Sequence, residues 1–496
     1  MADTGLSSGI RWSGISVIGR EVSRSIFTIA LARLVGPIDF GIVAQAMVYV
    51  GILSLALDQG FSSALIQRKE VERNMPGVVV SVNLAVGAAL MVLTMAIAPL
   101  WASFMNTPQL TLVLVALAPS LLVRSAAITP RAMLIRNMEF RQMGISDFVA
   151  AMTGGVLGVI VAVMGGSYWA VVVQIFCTDL AVLLMLLAFR AGQRPNLHFG
   201  ELRKIAAFSG RAFAAGLLLN SVSRNVDNLL VGRFQGPEAL AFYAMAYRLL
   251  LMPVQLASQT IGSVLFPRFA RFADDVATLS AEMARATRAL GVLSLPGMAL
   301  LAVAAPQLVM VIFGAQWEPA IPIVQVLAVA GALQAIYLPS TTPLVLGLGQ
   351  DKLNLRYAWL TTVVSVVGVV AGVPFGPLGV AVGYCMATVL LVPAQWLIRR
   401  RLIAMPLRAQ IASLLPGIHT AFWVAASYLG VAAIIPGHEE IVLAVGILVA
   451  VCVGVAVLRV AHRSLFFELI YMAKRIMGRG GPAAPAADSQ AVTEVG

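Results

Sequence analysis

The sequence predicts an all-α integral membrane protein with about fourteen transmembrane helices, two six-helix pseudo-symmetric lobes followed by two further helices. Three observations predict it. The 496 residues are 60% apolar and only 11% charged, whereas soluble domains carry about 25% charged residues. Lipid is therefore the solvent, every backbone N–H and C=O needs an internal partner, and uninterrupted apolar runs of about 20 residues select helices over barrel strands. Second, nearly all Lys and Arg outside the apolar runs fall in alternate connections, which places both termini on one side, the cytoplasmic one. Third, the chain resembles itself at an offset of 200 residues.

Taken in order, the first two spans are expected at 12–34 and 40–66, joined by Gly36-Pro37 and followed by a basic connection holding Arg68, Lys69 and Arg73. Spans at 77–101 and 110–128 enclose Asn106-Thr107-Pro108, which has no base, before Arg131, Arg136 and Arg141 mark the cytoplasm again. Spans at 144–163 and 168–188 flank Gly165-Gly166-Ser167, and Arg190, Arg194, Arg203 and Lys204 follow. The second half repeats the scheme with spans at 205–232 and 240–266, then a basic segment with Arg268, Arg271, Arg285 and Arg288 that reads as an amphipathic interfacial helix. Spans at 289–313 and 321–346 enclose Gln316-Trp317-Glu318, whose aromatic and acidic character suits the outer interface. Spans at 357–373 and 378–397 enclose Pro374-Phe375-Gly376-Pro377 and lead to the strongest basic cluster, Arg399, Arg400, Arg401 and Arg408. The last pair, at 411–435 and 441–460, brackets His438-Glu439-Glu440, and a basic, aromatic helix from Arg463 to Arg479 leads into a Pro/Ala/Ser tail expected to be disordered. The expected units are an N-lobe over 1–200, a C-lobe over 201–400, the last two spans over 401–462 and a cytoplasmic segment over 463–496.

The repeat rests on residues that are rare inside spans. The offset of 200 pairs Arg11 with Arg211, Ser23-Arg24 with Ser223-Arg224, Arg33 with Arg233, and Gly36-Pro37 with Gly236-Pro237. Six spans per half make this a parallel repeat, with its axis along the membrane normal and a site expected between the lobes near mid-depth.

Charges inside the spans nominate that site. Arg20, Glu21 and Arg24 fall in the first span, Asp58 in the second, Arg124 in the fourth, Asp179 in the sixth, Arg224 and Asp227 in the seventh and Arg248 in the eighth. Each costs about 2.5–3.5 kcal/mol at mid-depth, so none is expected to face lipid. One reading has them neutralise one another: Glu21 with Arg24, Asp179 with Arg124, Asp227 with Arg224 or Arg248. The other follows from arginines outnumbering acids in the lobes' leading helices: surplus buried positive charge calls for an anionic ligand, and the guanidinium fork suits phosphate. On that reading Arg20, Arg24, Arg124, Arg224 and Arg248 bind substrate, and Glu21, Asp58, Asp179 and Asp227 are candidates for ion coupling or ion pairing.

Other signatures exclude chemistry. No G-x-x-x-x-G-K-[ST] loop is present, so the chain is not expected to hydrolyse ATP. His198, His419, His438 and His462 show no metal-ligand spacing, and neither metal nor cofactor is expected. Cys177, Cys385 and Cys452 lie inside spans and read as packing residues. Gly379 and Gly383, in a glycine-rich run after Gly376, read as close helix packing rather than a phosphate cradle. The net charge of +12 is explained by orientation signals and anionic lipid, so no nucleic acid is expected as a partner.

The stretch Leu31-Ala-Arg-Leu-Val-Gly-Pro-Ile-Asp-Phe-Gly-Ile-Val-Ala44, with Asp58-Gln-Gly-Phe-Ser-Ser-Ala-Leu-Ile-Gln-Arg-Lys-Glu70, resembles the opening of bacterial polysaccharide exporters of the lipid-linked oligosaccharide flippase family. These belong to the multidrug, oligosaccharidyl-lipid and polysaccharide exporter superfamily. Gly347-Leu-Gly-Gln-Asp-Lys and Phe375-Gly-Pro-Leu-Gly-Val-Ala-Val-Gly-Tyr384 are similar to that family's eleventh and twelfth helices. The resemblance implies a MATE-like fold in the bacterial inner membrane, no enzyme activity, and transport of undecaprenyl-diphosphate-linked oligosaccharide by alternating access for exopolysaccharide or O-antigen synthesis. It also implies membrane lipids, a polysaccharide polymerase and export machinery as partners. The family's cavity arginines carry over to Arg24 and, more loosely, to Arg224 and Arg248. Two rival functions stay open: a drug/cation antiporter of the same fold, which calls for an acidic cleft, and a polytopic glycan polymerase or ligase, which calls for a long outer loop.

Overall fold

The computed structural model of the chain describes residues 23–57, 65–66, 74–189, 191–196 and 226–476. Helix α1 covers residues 23–35, followed by α2 (Pro37–Leu57), α3 (Met75–Phe104), α4 (Leu110–Arg136), α5 (Phe140–Val163) and α6 (Trp169–Ala188). The second half contains α7 (residues 226–234), α8 (Gly236–Arg271), α9 (Val276–Leu308), α10 (Ile321–Gly347), α11 (Asp351–Gly372) and α12 (Gly376–Ile403). The chain continues through α13 (Leu407–Ile434), α14 (Glu439–Ala461) and the amphipathic α15 (Arg463–Ile476). Among the described residues there is no strand, and ten helical stretches are long and apolar enough to cross a bilayer; one of them, Asp351–Ile403, contains both α11 and α12. The protein is a multi-pass, all-α membrane protein.

The repeat is structural. Gly36 and Gly236 take φ of 86° and 89°, a left-handed conformation that costs glycine nothing, and each precedes a proline at the start of the next helix, where a fixed φ suits and no N–H is missed. Packing repeats as well: α2 meets α4, α3 meets α4, α4 meets α6 and α5 meets α6, while α8 meets α10, α9 meets α10, α10 meets α12 and α11 meets α12. Each first-half pair thus recurs six helices later. Among the helices described over their whole length, the halves meet through α2 on α8, and α13 is added against α9 with α14 on α13.

The glycines of α11 and α12 are used for contact. A Cβ on Gly372 would lie 2.2 Å from the Gly379 carbonyl oxygen, and one on Gly383 2.0 Å from that of Gly368. Lipid offers helices little hydrophobic drive to associate, so backbone approach through small residues supplies dispersion contacts instead.

The basic segment after α8 differs from expectation: it is not a separate interfacial helix. Helices α8 and α9 both run past their apolar spans and meet at a short turn, Phe272–Asp275. The Asp275 carboxylate caps α9, its Oδ1 accepting from the Thr278 N–H at 3.0 Å. Leu279, Met283 and Ala286 are buried with Leu344, Ile403 and Met405, so the apolar face of this segment is spent on protein rather than on lipid. Glu282 accepts from both Arg268 (3.2 Å) and Arg285 (3.3 Å), binding the two extensions together.

Candidate functional site

The halves meet most tightly at the end carrying the base-poor turns. A Cβ on Gly41 would lie 1.9 Å from the Pro237 carbonyl oxygen, so only glycine lets α2 cross α8 there. One turn along α2, buried Gln45 donates through Nε2 to the Gly232 carbonyl at 2.9 Å. Beside this seam lies a cavity of about 200 Å³ lined by Ala44, Met47 and Val48 of α2, Asn228 of α7, and Leu240 and Ala244 of α8. Leu240, Ala244 and Arg248 succeed one another at four-residue steps, so Arg248 continues the cavity-lining face toward the base-rich end, where it is exposed. Ile52, one further step along α2 from Val48, is likewise exposed. The seam is therefore shut at the base-poor end and exposes side chains of α2 and α8 toward the other.

Arg24 lies on α1, exposed, and close enough for its charge to act on Asp179. Asp179 Oδ2 accepts from Arg124 Nε at 2.6 Å, with side chains 28% (Arg124) and 16% (Asp179) exposed. Pairing is thus what the structure shows for Arg124 and Asp179, and around this one carboxylate stand two arginines. For Asp227 the sequence suggests pairing with Arg224, which lies outside the described residues, or with Arg248; buried at 4% exposure, it accepts from the Tyr243 hydroxyl at 2.9 Å and the Asn228 N–H at 2.8 Å. Tyr243 of α8 supplies a neutral donor to this carboxyl of α7. Arg20, Glu21, Asp58 and Arg224 lie outside the described residues.

Two features escape the sequence reading. A polar chain runs through the second half from Asp227 to Tyr243, whose ring stacks on Tyr247 (6.1 Å, 17°), whose hydroxyl lies 3.3 Å from that of Tyr384, which accepts from Gln334 Nε2 at 2.8 Å. Second, Arg399 is not a loop base. It is fully buried, and it donates through NH2 to Ser340 Oγ (2.7 Å), through NH1 to Thr287 Oγ1 (3.2 Å) and through Nε to Thr341 Oγ1 (3.3 Å). The Tyr337 ring lies 4.8 Å from its guanidinium carbon. Among the described residues no carboxylate pairs with it; hydroxyl dipoles and a ring face hold the charge. A signal was available, because Gln395, Arg399 and Ile403 fall at four-residue steps on one face and all are buried. Trp317 also differs from expectation: it lies wholly buried against Phe40 and Phe242 rather than at a lipid interface. Among the described residues no three His, Cys, Asp or Glu side chains come together to hold a metal.

The model of a family of polysaccharide biosynthesis proteins matches residues 30–322, more than half of the chain and the whole of the α2–α8 seam. The chain belongs to this family. Its relatives include the succinoglycan biosynthesis transport protein ExoT of Rhizobium meliloti (strain 1021), 25% identical over 494 residues and covering 97% of this chain and 98% of that one. The lipopolysaccharide biosynthesis protein WzxC of Escherichia coli (strain K12) is 24% identical over 391 residues, 77% of this chain and 78% of its own. In fold the chain is similar to the lipid II flippase MurJ in an inward closed conformation, with a TM-score of 0.73 at 15% identity over 91% of this chain and 99% of that one. It is also similar to an inward-facing multidrug MATE transporter, with a TM-score of 0.62 at 16% identity over 78% of this chain and 98% of the other. The chain therefore shares the fold of these two transporters.

Proposed function

We propose that this protein moves an undecaprenyl-diphosphate-linked oligosaccharide from the inner to the outer leaflet of the bacterial inner membrane, for surface polysaccharide synthesis. The observation that carries the reading is that, among the described residues, two arginines, Arg24 and Arg124, act on one carboxylate, Asp179. Arg24 and Arg124 share Asp179, Asp227 is satisfied by a tyrosine, and Arg248 extends the cavity-lining face. Such a cleft attracts a diphosphate, and the guanidinium fork matches its oxygens. Relatives named for succinoglycan transport and lipopolysaccharide biosynthesis support the cargo class.

In this reading the lobes run over 1–200 and 201–400, and both termini are cytoplasmic, because the basic connections face that side. The diphosphate and sugars enter from the base-rich end and meet Arg20, Arg24, Arg224 and Arg248, while the polyprenyl tail stays in lipid. Rocking of one lobe on the other exposes the head group outside. The work of the chain is transport and not bond-making. The drive comes from an ion gradient, the membrane potential or removal of product, with Asp58, Asp179 and Asp227 as coupling candidates. A polymerase and export machinery then take the delivered unit.

The test is complementation of a strain lacking the gene, with Arg24→Ala and Arg224→Ala scored for surface polysaccharide at equal protein level. Loss of polymer in both is expected; normal polymer in both would remove the cavity arginines from the mechanism. An acidic-cleft antiporter would instead leave polymer intact and change drug resistance.

A further inference from the structure

The 200-residue repeat brings two adjacent pairs of matched positions, Ala32 with Gly232 and Arg33 with Arg233, to the base-poor seam in a specific way. The last carbonyls of any helix lack intrahelical partners. At the end of α1 the Ala32 carbonyl accepts from Trp317 Nε1 at 3.0 Å and the Arg33 carbonyl from Gln316 Nε2 at 3.0 Å, both donors belonging to the opposite half. At the end of α7 the Gly232 carbonyl, matched to Ala32 by the repeat, accepts from Gln45 of the opposite half at 2.9 Å. The side chains that follow are matched too. Arg33 reaches across to the Val311 carbonyl in the π-helical turn Val309–Phe313 that ends α9 (2.9 Å). Arg233 reaches across to the Phe104 ring that ends α3, its guanidinium carbon 5.3 Å from the centroid.

We propose that these reciprocal caps form a releasable clasp, with Arg33 and Arg233 as the pseudo-symmetric positioning residues that hold the outer end of the transport cleft shut. The inference rests on the transporter reading but not on the identity of the cargo. Three features suit the bonds to a clasp rather than to permanent glue. The acceptors of the four hydrogen bonds are carbonyls near helix ends beside the base-poor turns, where water takes the donor's place once the halves part. Arg33 itself is exposed, so its bond is already in competition with solvent. Gln45 is fully buried with its Oε1 unpartnered, a cost of the closed state that water relieves on opening. Closure and opening are thereby held near balance, as a protein that must visit both requires. The clasp also explains why the base-poor turns keep basic residues at these two edges, Arg33 and Arg233, against the charge pattern of that face.

The experiment reads access to the cleft from each side of the membrane and needs no cargo. In a background with Cys177→Ser, Cys385→Ser and Cys452→Ser, Ala44→Cys places a reporter thiol in the seam cavity. Labelling by a membrane-impermeant maleimide is then timed from either face in sealed vesicles of known orientation. Slow labelling from the base-poor face is expected with both arginines present. Arg33→Ala and Arg233→Ala are each expected to speed it by about three- to tenfold, the factor that loss of one ordinary interaction produces in a two-state equilibrium, and together by more. Labelling from the base-rich face should not rise. Gly41→Ala, which wedges α2 off Pro237 without removing charge, should give the same one-sided increase. Unchanged base-poor labelling in the double variant, or an equal rise from both faces, would overturn the clasp. Either result leaves the flippase reading intact, since that reading is tested by polymer export and by translocation of the lipid-linked cargo.

Discussion

Arg124 Nε donates to Asp179 Oδ2 over 2.6 Å, linking α4 to α6 inside the first half, and the same carboxylate feels the charge of Arg24 on α1. One acid therefore serves two bases on three helices. Replacing Arg124 alone leaves Asp179 with the more distant charge, whereas replacing both partners by neutral residues removes the uncompensated group. Arg124→Ala is expected to lower the melting temperature of the detergent-solubilised protein, and Arg124→Gln combined with Asp179→Asn to recover most of the loss. Breaking a buried pair costs about 3–5 kcal/mol; partial exposure of this one places the expected cost below that range. Equal melting of the single and double variants would mean that the pair contributes nothing to stability.

Among the described residues the buried Asp227 has one side-chain donor, the Tyr243 hydroxyl. Tyr243→Phe keeps the ring that stacks on Tyr247 and removes only that donor. A destabilisation of about 1–3 kcal/mol is expected, the cost of orphaning a buried acceptor, and Asp227→Asn with Tyr243→Phe should be milder than Tyr243→Phe alone. Chemical denaturation in detergent, read by tryptophan fluorescence, measures both.

Arg399 ties α12 to Thr287 of α9 and to Ser340 and Thr341 of α10. Arg399→Lys keeps the charge but cannot reach three hydroxyls with one ammonium, so it should not rescue folding. Arg399→Met fills similar volume without a charge and is expected to be the mildest of the substitutions, with Arg399→Ala the most severe because it adds a cavity to the unpaired hydroxyls. The yield of monodisperse protein after solubilisation ranks the three; a well-folded lysine variant would show that charge, not the fork, is what matters.

His462 at the α14–α15 junction lies with its Nε2 3.2 Å from His419 Nδ1, and His419 Nε2 accepts from Trp423 Nε1 at 3.0 Å. Burial, and then the charge of His419, holds His462 below its ordinary 6.5. The folded chain thus binds a proton here less readily than the unfolded chain, so stability falls as pH drops below about 6.5. Melting between pH 7.5 and 5.5 should show that decline, and His462→Gln should flatten it. A slope identical in the variant would place the titration elsewhere.

The fold was legible because two independent signals agreed. Base-rich and base-poor connections alternate, and each apolar run has helical length, which together predict spans where α2 to α6 and α8 to α14 lie; the expected first and seventh spans fall partly outside the described residues. Gly36-Pro37 and Gly236-Pro237 disclosed the repeat because few sequences satisfy a left-handed turn followed at once by a helix start. The site was less legible, since hydropathy counts charge but not direction. Arg399 stands in a run of three arginines and reads as an orientation signal until helical phase separates it from its exposed neighbours Arg400 and Arg401. Asp227 suggests an ion pair until α8 brings a tyrosine, and Trp317 suggests a lipid interface until the opposite half supplies a carbonyl for its indole N–H. Each depends on contact between segments far apart in sequence, which composition and spacing do not encode.

The most direct measurement reconstitutes the purified protein in liposomes that carry a fluorescent undecaprenyl-diphosphate oligosaccharide in both leaflets, and follows its accessibility to an impermeant quencher or lectin. The expected result is a second, protein-dependent phase in which inner-leaflet lipid becomes accessible, lost with Arg24→Ala and Arg248→Ala. Accessibility fixed at the outer-leaflet fraction with well-folded wild-type protein, under an imposed ion gradient and membrane potential, would contradict the transport of lipid-linked oligosaccharide by this chain.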